Sequence, residues 1–386
     1  MESVLHGSLQ SVHGQPSWRL TGPNVETFVT EQGGHLGPTT FRLGDRNLHP
    51  YAVAPWAEEP ATGHLLPVLR ALRGDFFCLP FGGNASSFNG EVHPPHGETA
   101  NERWTFDGAQ REGDAVSLRL RLDPAARKGR VRKEITLVDG HTALYQRHSV
   151  TGMTGPMSLG HQAMLRCPDA EGSGLLATSP FVLGRTSPVP LEDPARGGYS
   201  VLAPDASFEA LDAVPTVAGS QADLSRFPAR RGYDDLVALA SDPTLPLAWT
   251  AVTFPEAGFV WFALRDPGVL RQTVLWFSNG GRHYAPWSGR HAGVLGLADA
   301  TAYFHLGLAE SAASNPLSEQ GIPTYVSLAG GPFRVACIHA VARVPAMFDH
   351  VAEVYAHDGE DAVTLTSRSG ALVRVPLRHR FLRAAA

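Results

Sequence analysis

Cysteine is scarce in this chain: Cys78, Cys167 and Cys337 are the only three, an odd number, far apart, with no Cys-x-x-Cys pair. That argues against a disulfide framework or a cysteine zinc site, and the expectation is three small buried hydrophobes in a reducing compartment. Charge is also sparse, at 18% of residues, and 32 basic against 37 acidic side chains leave a net charge of −5. No run of Lys or Arg forms a stripe, so neither nucleic acid nor an acidic membrane is an expected partner. No apolar run approaches the roughly 18 residues of a membrane span. The start, MESVLHGSLQSVHG, lacks a basic segment leading into an apolar one, so the expectation is a cytoplasmic protein. Also missing are a Gly-x-Ser-x-Gly elbow, a Walker-type phosphate loop and a strand-linked Gly-x-Gly-x-x-Gly, which argues against serine hydrolases and nucleotide-dependent enzymes. No cofactor is expected. His93 and His96 invite a zinc reading, but no His-Glu-x-x-His supports it, and no metal is expected.

What the chain has in quantity is turn residues. Forty Gly and 30 Pro are spread throughout, breaking helices and favouring many short strands. Residues 116–122 (VSLRLRL) alternate apolar and polar side chains, the pattern of a half-buried strand. KEITLVDGHTALYQRHSVTG predicts two strands about Asp139-Gly140, and MSLGHQAMLRCP another. Residues 168–233 read as loop-rich excursions from a sheet edge. From Leu245 to Phe277 the apolar runs are nearly continuous, as where both faces of a sheet are covered. A hairpin about Ser369-Gly370 predicts an added edge element over residues 348–386. The expected fold is all-β, with stacked antiparallel sheets and few short helices, in one domain over residues 1–386.

The densest stretch is Ala71 to Trp104. Phe76 to Phe81 predict a buried strand stopped by Gly82-Gly83-Asn84, Asn89-Gly90 is a hairpin signal, and Pro94-Pro95 restrain the backbone that presents His96. HPPHGETANERW, with Pro80-Phe81-Gly82 upstream, resembles the His-Gly…Trp segment of the aldose 1-epimerase (galactose mutarotase-like) family. The resemblance runs from about Val25 to Val344 and implies a large twisted antiparallel β-sandwich with the site on the concave face of one sheet. It implies that His96 contacts the sugar and that His161, in LGHQAML, donates a proton to the ring oxygen. Anomer interconversion needs a base at the C1 hydroxyl and an acid at the ring oxygen, without metal or nucleotide. The resemblance places the base, a glutamate, in a late segment aligned with LGLAD, where this chain has Ala298 and, next to it, Asp299. Adjacent strand residues face opposite sides, so Asp299 serves only if a bulge or strand end re-aims it.

Other candidates for the sugar site are Asp234, in Tyr-Asp-Asp, and the polar-aromatic cluster Arg282, His283, Tyr284 and Trp287, with Arg73 and Asn84 as further lining. The expected activity is therefore aldose 1-epimerase-like, on a small carbohydrate, by a monomer or homodimer. The alternative is a carbohydrate-binding or sensing protein that has lost the base.

Overall fold

The computed structural model describes residues 7–383. Residues 1–6, part of the start searched above for a leader, and residues 384–386, the end of the C-terminal extension, lie outside the described residues. Two large antiparallel sheets dominate, of twelve and nine strands. In the first, Asp75–Cys78, Leu159–Arg166, Val294–Thr301, Gln272–Asn279 and Tyr233–Ser241 lie side by side at the centre. In the second, Ala248–Phe254, Phe259–Arg265, Phe333–Arg343 and Ala143–Thr151 form the middle. Among the described residues no helix is long and apolar enough to cross a membrane.

Alternation assigns every central side chain to one of two layers. In Phe259–Arg265, Phe259, Trp261 and Ala263 join the core between the sheets, while Val260, Phe262 and Leu264 join a second cluster on the outer face. That outer cluster is covered by Val351–Ala356, Ala362–Ser367 and Leu372–Pro376, through Val354, Val363, Leu365 and Val375. The predicted hairpin about Ser369-Gly370 is thus present, but as two strands of a three-stranded meander lying on a face rather than added to an edge. Its cover explains why residues 248–265 read as unbroken apolar runs: all seven residues of both strands are buried. The strand predicted over residues 116–122 forms as Ala115–Leu122, with Val116, Leu118, Leu120 and Leu122 in the core.

The loop-rich segment 168–233 also contributes to the sheets. Gly174–Thr178 pairs with Ala248–Phe254 in the second sheet, and Phe181–Thr186 pairs with Tyr233–Ser241 in the first. Its Gly and Pro content hides these short strands.

The first sheet has the same two layers. Phe77, Leu159, Ala163, Leu165, Leu275, Leu295 and Leu297 face the intersheet core, whereas Phe76, Met164, Val274, Trp276, Leu236 and Ala298 face the other way. There they are roofed by Leu65 to Leu72, including the short helix Pro67–Arg70.

Leu365 is fully buried in the meander. Leu365→Ala is expected to cost about 2–5 kcal/mol, read as a lower urea midpoint; an unchanged midpoint would mean that the meander adds nothing to the stability of the sheet beneath it.

Candidate functional site

Between the roof and the outward face of the first sheet lies a cavity of about 230 Å³. Phe76, Phe81, Trp276, Trp287 and aliphatic side chains form most of its wall; its polar side chains are His96, Gln162, Arg282 and His305.

His96 is held by backbone. Its N–H donates to Gly82 O at 2.6 Å and its φ is +63°, a left-handed conformation that the flanking turn imposes. Gly97 follows at φ +74°, where a Cβ would stand 2.0 Å from Leu79 O, so only glycine fits. Asn84 braces this loop: its amide donates to Gly82 O and Pro94 O, both at 3.1 Å, and its Oδ1 accepts from Leu308 N–H at 3.0 Å. Gly83 N–H donates to His305 O at 2.6 Å. Asn84 is therefore buried scaffold that ties the loop of His96 to the loop of His305. The His96 ring stands edge-on to Phe76 and Phe81, with Nδ1 3.4 Å from Cys78 Sγ.

Burial, reinforced by the charge of His305, lowers His96 to about 4. Burial and then Arg282 lower His305 to about 4. Both rings are neutral at pH 7, able to accept one hydrogen bond and donate another.

Arg282 lies against two indoles, its guanidinium carbon 5.0 Å from the Trp276 ring and 4.7 Å from that of Trp287. Its Nε donates to Glu192 Oε1 at 2.6 Å and stands 3.6 Å from Asp234 Oδ2. Asp234 is buried behind the wall, accepting from Trp276 Nε1 at 3.1 Å and Gly281 N–H at 2.8 Å. Tyr284 is exposed, and its hydroxyl donates to Glu192 Oε2 at 3.1 Å. His283 is exposed as well, its ring edge-on to Tyr199. Arg73 is buried away from the cavity and donates to the backbone oxygens of Ala71, Val12 and His13.

His161 and Asp299 also lie elsewhere. They sit opposite one another in adjacent strands, on the face that looks into the intersheet core. His161 Nδ1 is 3.1 Å from Asp75 Oδ2, and its ring lies 4.8 Å from that of His148. Burial favours a protonated Asp75, but the charge and hydrogen bond of His161, with help from His339 and Gln146, outweigh it and hold the carboxyl below its usual range. Asp299 pairs with Arg265 at 2.9 Å and accepts from Thr273 Oγ1 at 2.8 Å. The register through Val294–Thr301 is continuous against both neighbours, so no bulge re-aims Asp299. The side chains these strands send into the cavity are Gln162 and Ala298.

Of the residues singled out in the sequence, His96, Arg282 and Trp287 line the cavity; Gln162, Trp276, His305 and the Glu192 that holds Arg282 were not singled out. Gln162 was the one with a local signal, a polar residue inside an apolar strand. His305 follows a strand in a loop and gives none. His93, the other half of the zinc reading, has Nε2 2.9 Å from Glu91, which is itself engaged by Arg127.

No family model and no curated protein matches the sequence. Solved structures do match its fold. A provisionally assigned aldose 1-epimerase from Escherichia coli K12 superposes with a TM-score of 0.56 at 14% identity, over 86% of this chain and 100% of that one. A galactose mutarotase-like protein from Clostridium acetobutylicum gives 0.54 at 11% identity, over 87% and 98%. A galactose mutarotase related enzyme from Lactobacillus acidophilus gives 0.53 at 10%, over 85% and 98%. The chain is similar to these in architecture, the galactose mutarotase-like sandwich.

His161→Ala is expected to cost about 1.5–3 kcal/mol of stability without altering ligand binding; a loss of binding in the folded variant would bring His161 into the site. Because His96 and His305 titrate near 4, the part of folding stability they control is present above about pH 6.5 and lost as pH falls through 4. Ligand affinity should accordingly be flat from about pH 8 down to about 5.5, whereas a midpoint near the ordinary histidine value would contradict this.

Proposed function

We propose that this galactose mutarotase-like sandwich binds a single sugar ring in the cavity under the 65–72 roof, and does so without the carboxylate-driven anomer exchange that its resemblance to aldose 1-epimerases implies. The observation that carries the reading is the composition of the wall. Indole and phenyl faces stand beside one guanidinium, one amide and two neutral imidazoles, the groups that stack on sugar C–H faces and bond to hydroxyls. No carboxylate is among the cavity-lining residues: the position facing inward from the late strand is Ala298, and Asp299 is turned to the opposite face and committed to Arg265. Asp234 and Glu192 are engaged by Arg282 and by the Trp276, Gly281 and Tyr284 donors. A base that takes the C1 proton needs a free lone pair within reach and a pKa near the working pH. Imidazoles titrating near 4 are weak bases at neutral pH.

A second reading rests on the presence of His96 and His305 on one cavity wall. In it one imidazole accepts the C1 hydroxyl proton while the N–H of the other donates to the ring oxygen. The ring opens to the aldehyde, and closure on the other face returns both protons.

Anomer exchange followed by NMR on freshly dissolved aldoses separates the two. Sugar line broadening without faster equilibration is expected. Acceleration that disappears in His305→Ala would establish the second reading, and silence in both channels would overturn both. Trp287→Ala should weaken binding by about tenfold or more. Ala298→Glu, which puts a carboxylate into the cavity, should confer measurable exchange; a folded variant that binds sugar and stays inactive would show that a base at this position does not reach C1.

A further inference from the structure

The same cavity carries information about which sugar it takes, and this inference rests on the sugar-binding reading above. Its volume of about 230 Å³ is below the roughly 300–1,000 Å³ of sites for larger ligands, so it admits one ring and little else. Leu66, Val68, Leu69 and Leu72 of the roof, with Leu191 and, on the sheet, Val274, are aliphatic and offer a ring no hydrogen-bonding side chain. A hexose carries a hydroxyl on nearly every carbon, and each hydroxyl buried without a partner opposes binding. The aliphatic part of the wall leaves any hydroxyl that faces it without a side-chain partner.

Charge narrows the class further. Arg282 is the one side chain of the wall that is always charged, and its charge is already matched through Nε. Glu192 accepts from its Nε, Asp234 stands 3.6 Å away, and two indole faces cover the guanidinium. With two carboxylates around one guanidinium, the site has no spare positive charge for a phosphate or a uronate, and an anion entering it is repelled by Glu192 and Asp234 behind the wall.

We propose that the occupant is a neutral monosaccharide with part of its hydroxyl set removed or capped, a deoxy or O-alkylated sugar, and that the aliphatic roof is what selects it over the fully hydroxylated parent. The stripped edge of the ring lies under Leu66 to Leu72, and its remaining hydroxyls meet His96, Gln162 and His305.

Calorimetric titration of the full chain with matched pairs tests this: L-fucose against L-galactose, L-rhamnose against L-mannose, methyl ethers against their parents, and a phosphate ester of each parent. The deoxy or methylated member should bind about ten- to a hundredfold more tightly than its parent, and the phosphate esters should not bind. Parents that bind as tightly as their deoxy partners, or esters that bind more tightly than either, would overturn the inference while leaving a sugar site in place. Absence of binding by every sugar would remove the sugar-binding reading and this inference with it. Val274→Thr keeps the shape of the wall and adds a hydroxyl, and should narrow the gap within each pair. A folded Val274→Thr protein with the wild-type gap would overturn the assignment of the selectivity to the apolar wall.

Discussion

The structure depends on the two-residue alternation of strands that are buried on both sides. Each central strand of the first sheet sends one set of side chains into the intersheet core and the other toward the roofed cavity. A shift of one residue exchanges the sets completely. Whether a polar side chain is scaffold or site is therefore decided by its parity along the strand, and the pairings of Leu159–Arg166 with Asp75–Cys78 and Val294–Thr301 fix that parity without a break.

The core side of this arrangement is unusually polar. Asp75, Gln146, His148, His161, His339 and Lys133 are all buried there, with Asp299 and Arg265 nearby. Buried polar groups are costly unless partnered. Gln146 on Asp75 and Arg265 on Asp299 tie a strand of one sheet to a strand of the other, Lys133 and His339 reach from the second sheet to Gly34 O and Tyr51, and His161 on Asp75 and Thr273 on Asp299 join neighbouring strands within the first. A one-residue slip of any of them would strand several charges at once. These contacts give His161 and Asp299 a structural role in the register that keeps Gln162 and Ala298 aimed at the cavity.

Much of the architecture was legible because strands and turns leave local marks. Val116 to Leu122 alternate cleanly, Asp139-Gly140 separates two paired strands, and Asn89-Gly90 makes a tight turn with φ of +49° and +85°. The unbroken apolar runs of 248–265 gave away a sheet covered on both faces, though not that residues 351–376 supply the cover. The buried strands of the first sheet, 159–166, 272–279 and 294–301, hide the site for the same reason. Where both faces are buried, hydrophobic period carries no sign of which face is which. Period alone therefore does not say whether His161 or Gln162, Asp299 or Ala298, faces the cavity; the long-range pairings do. His305 is held at the cavity by Gly83 and Asn84, which join two loops more than two hundred residues apart in sequence, contacts with no local trace.

The proposed sugar site is the cavity face, with Gln162, Trp287, His96 and His305, and not the intersheet face. A crystal structure of the chain soaked with a bound sugar tests it most directly. The expected result is a ring in the roofed cavity beside Trp287, with hydroxyls bonded to Gln162 and to one of the two imidazoles, and with the Asp75–His161 and Arg265–Asp299 contacts unchanged. A sugar bonded to His161 or Asp299, or seated away from the roofed cavity, would contradict it.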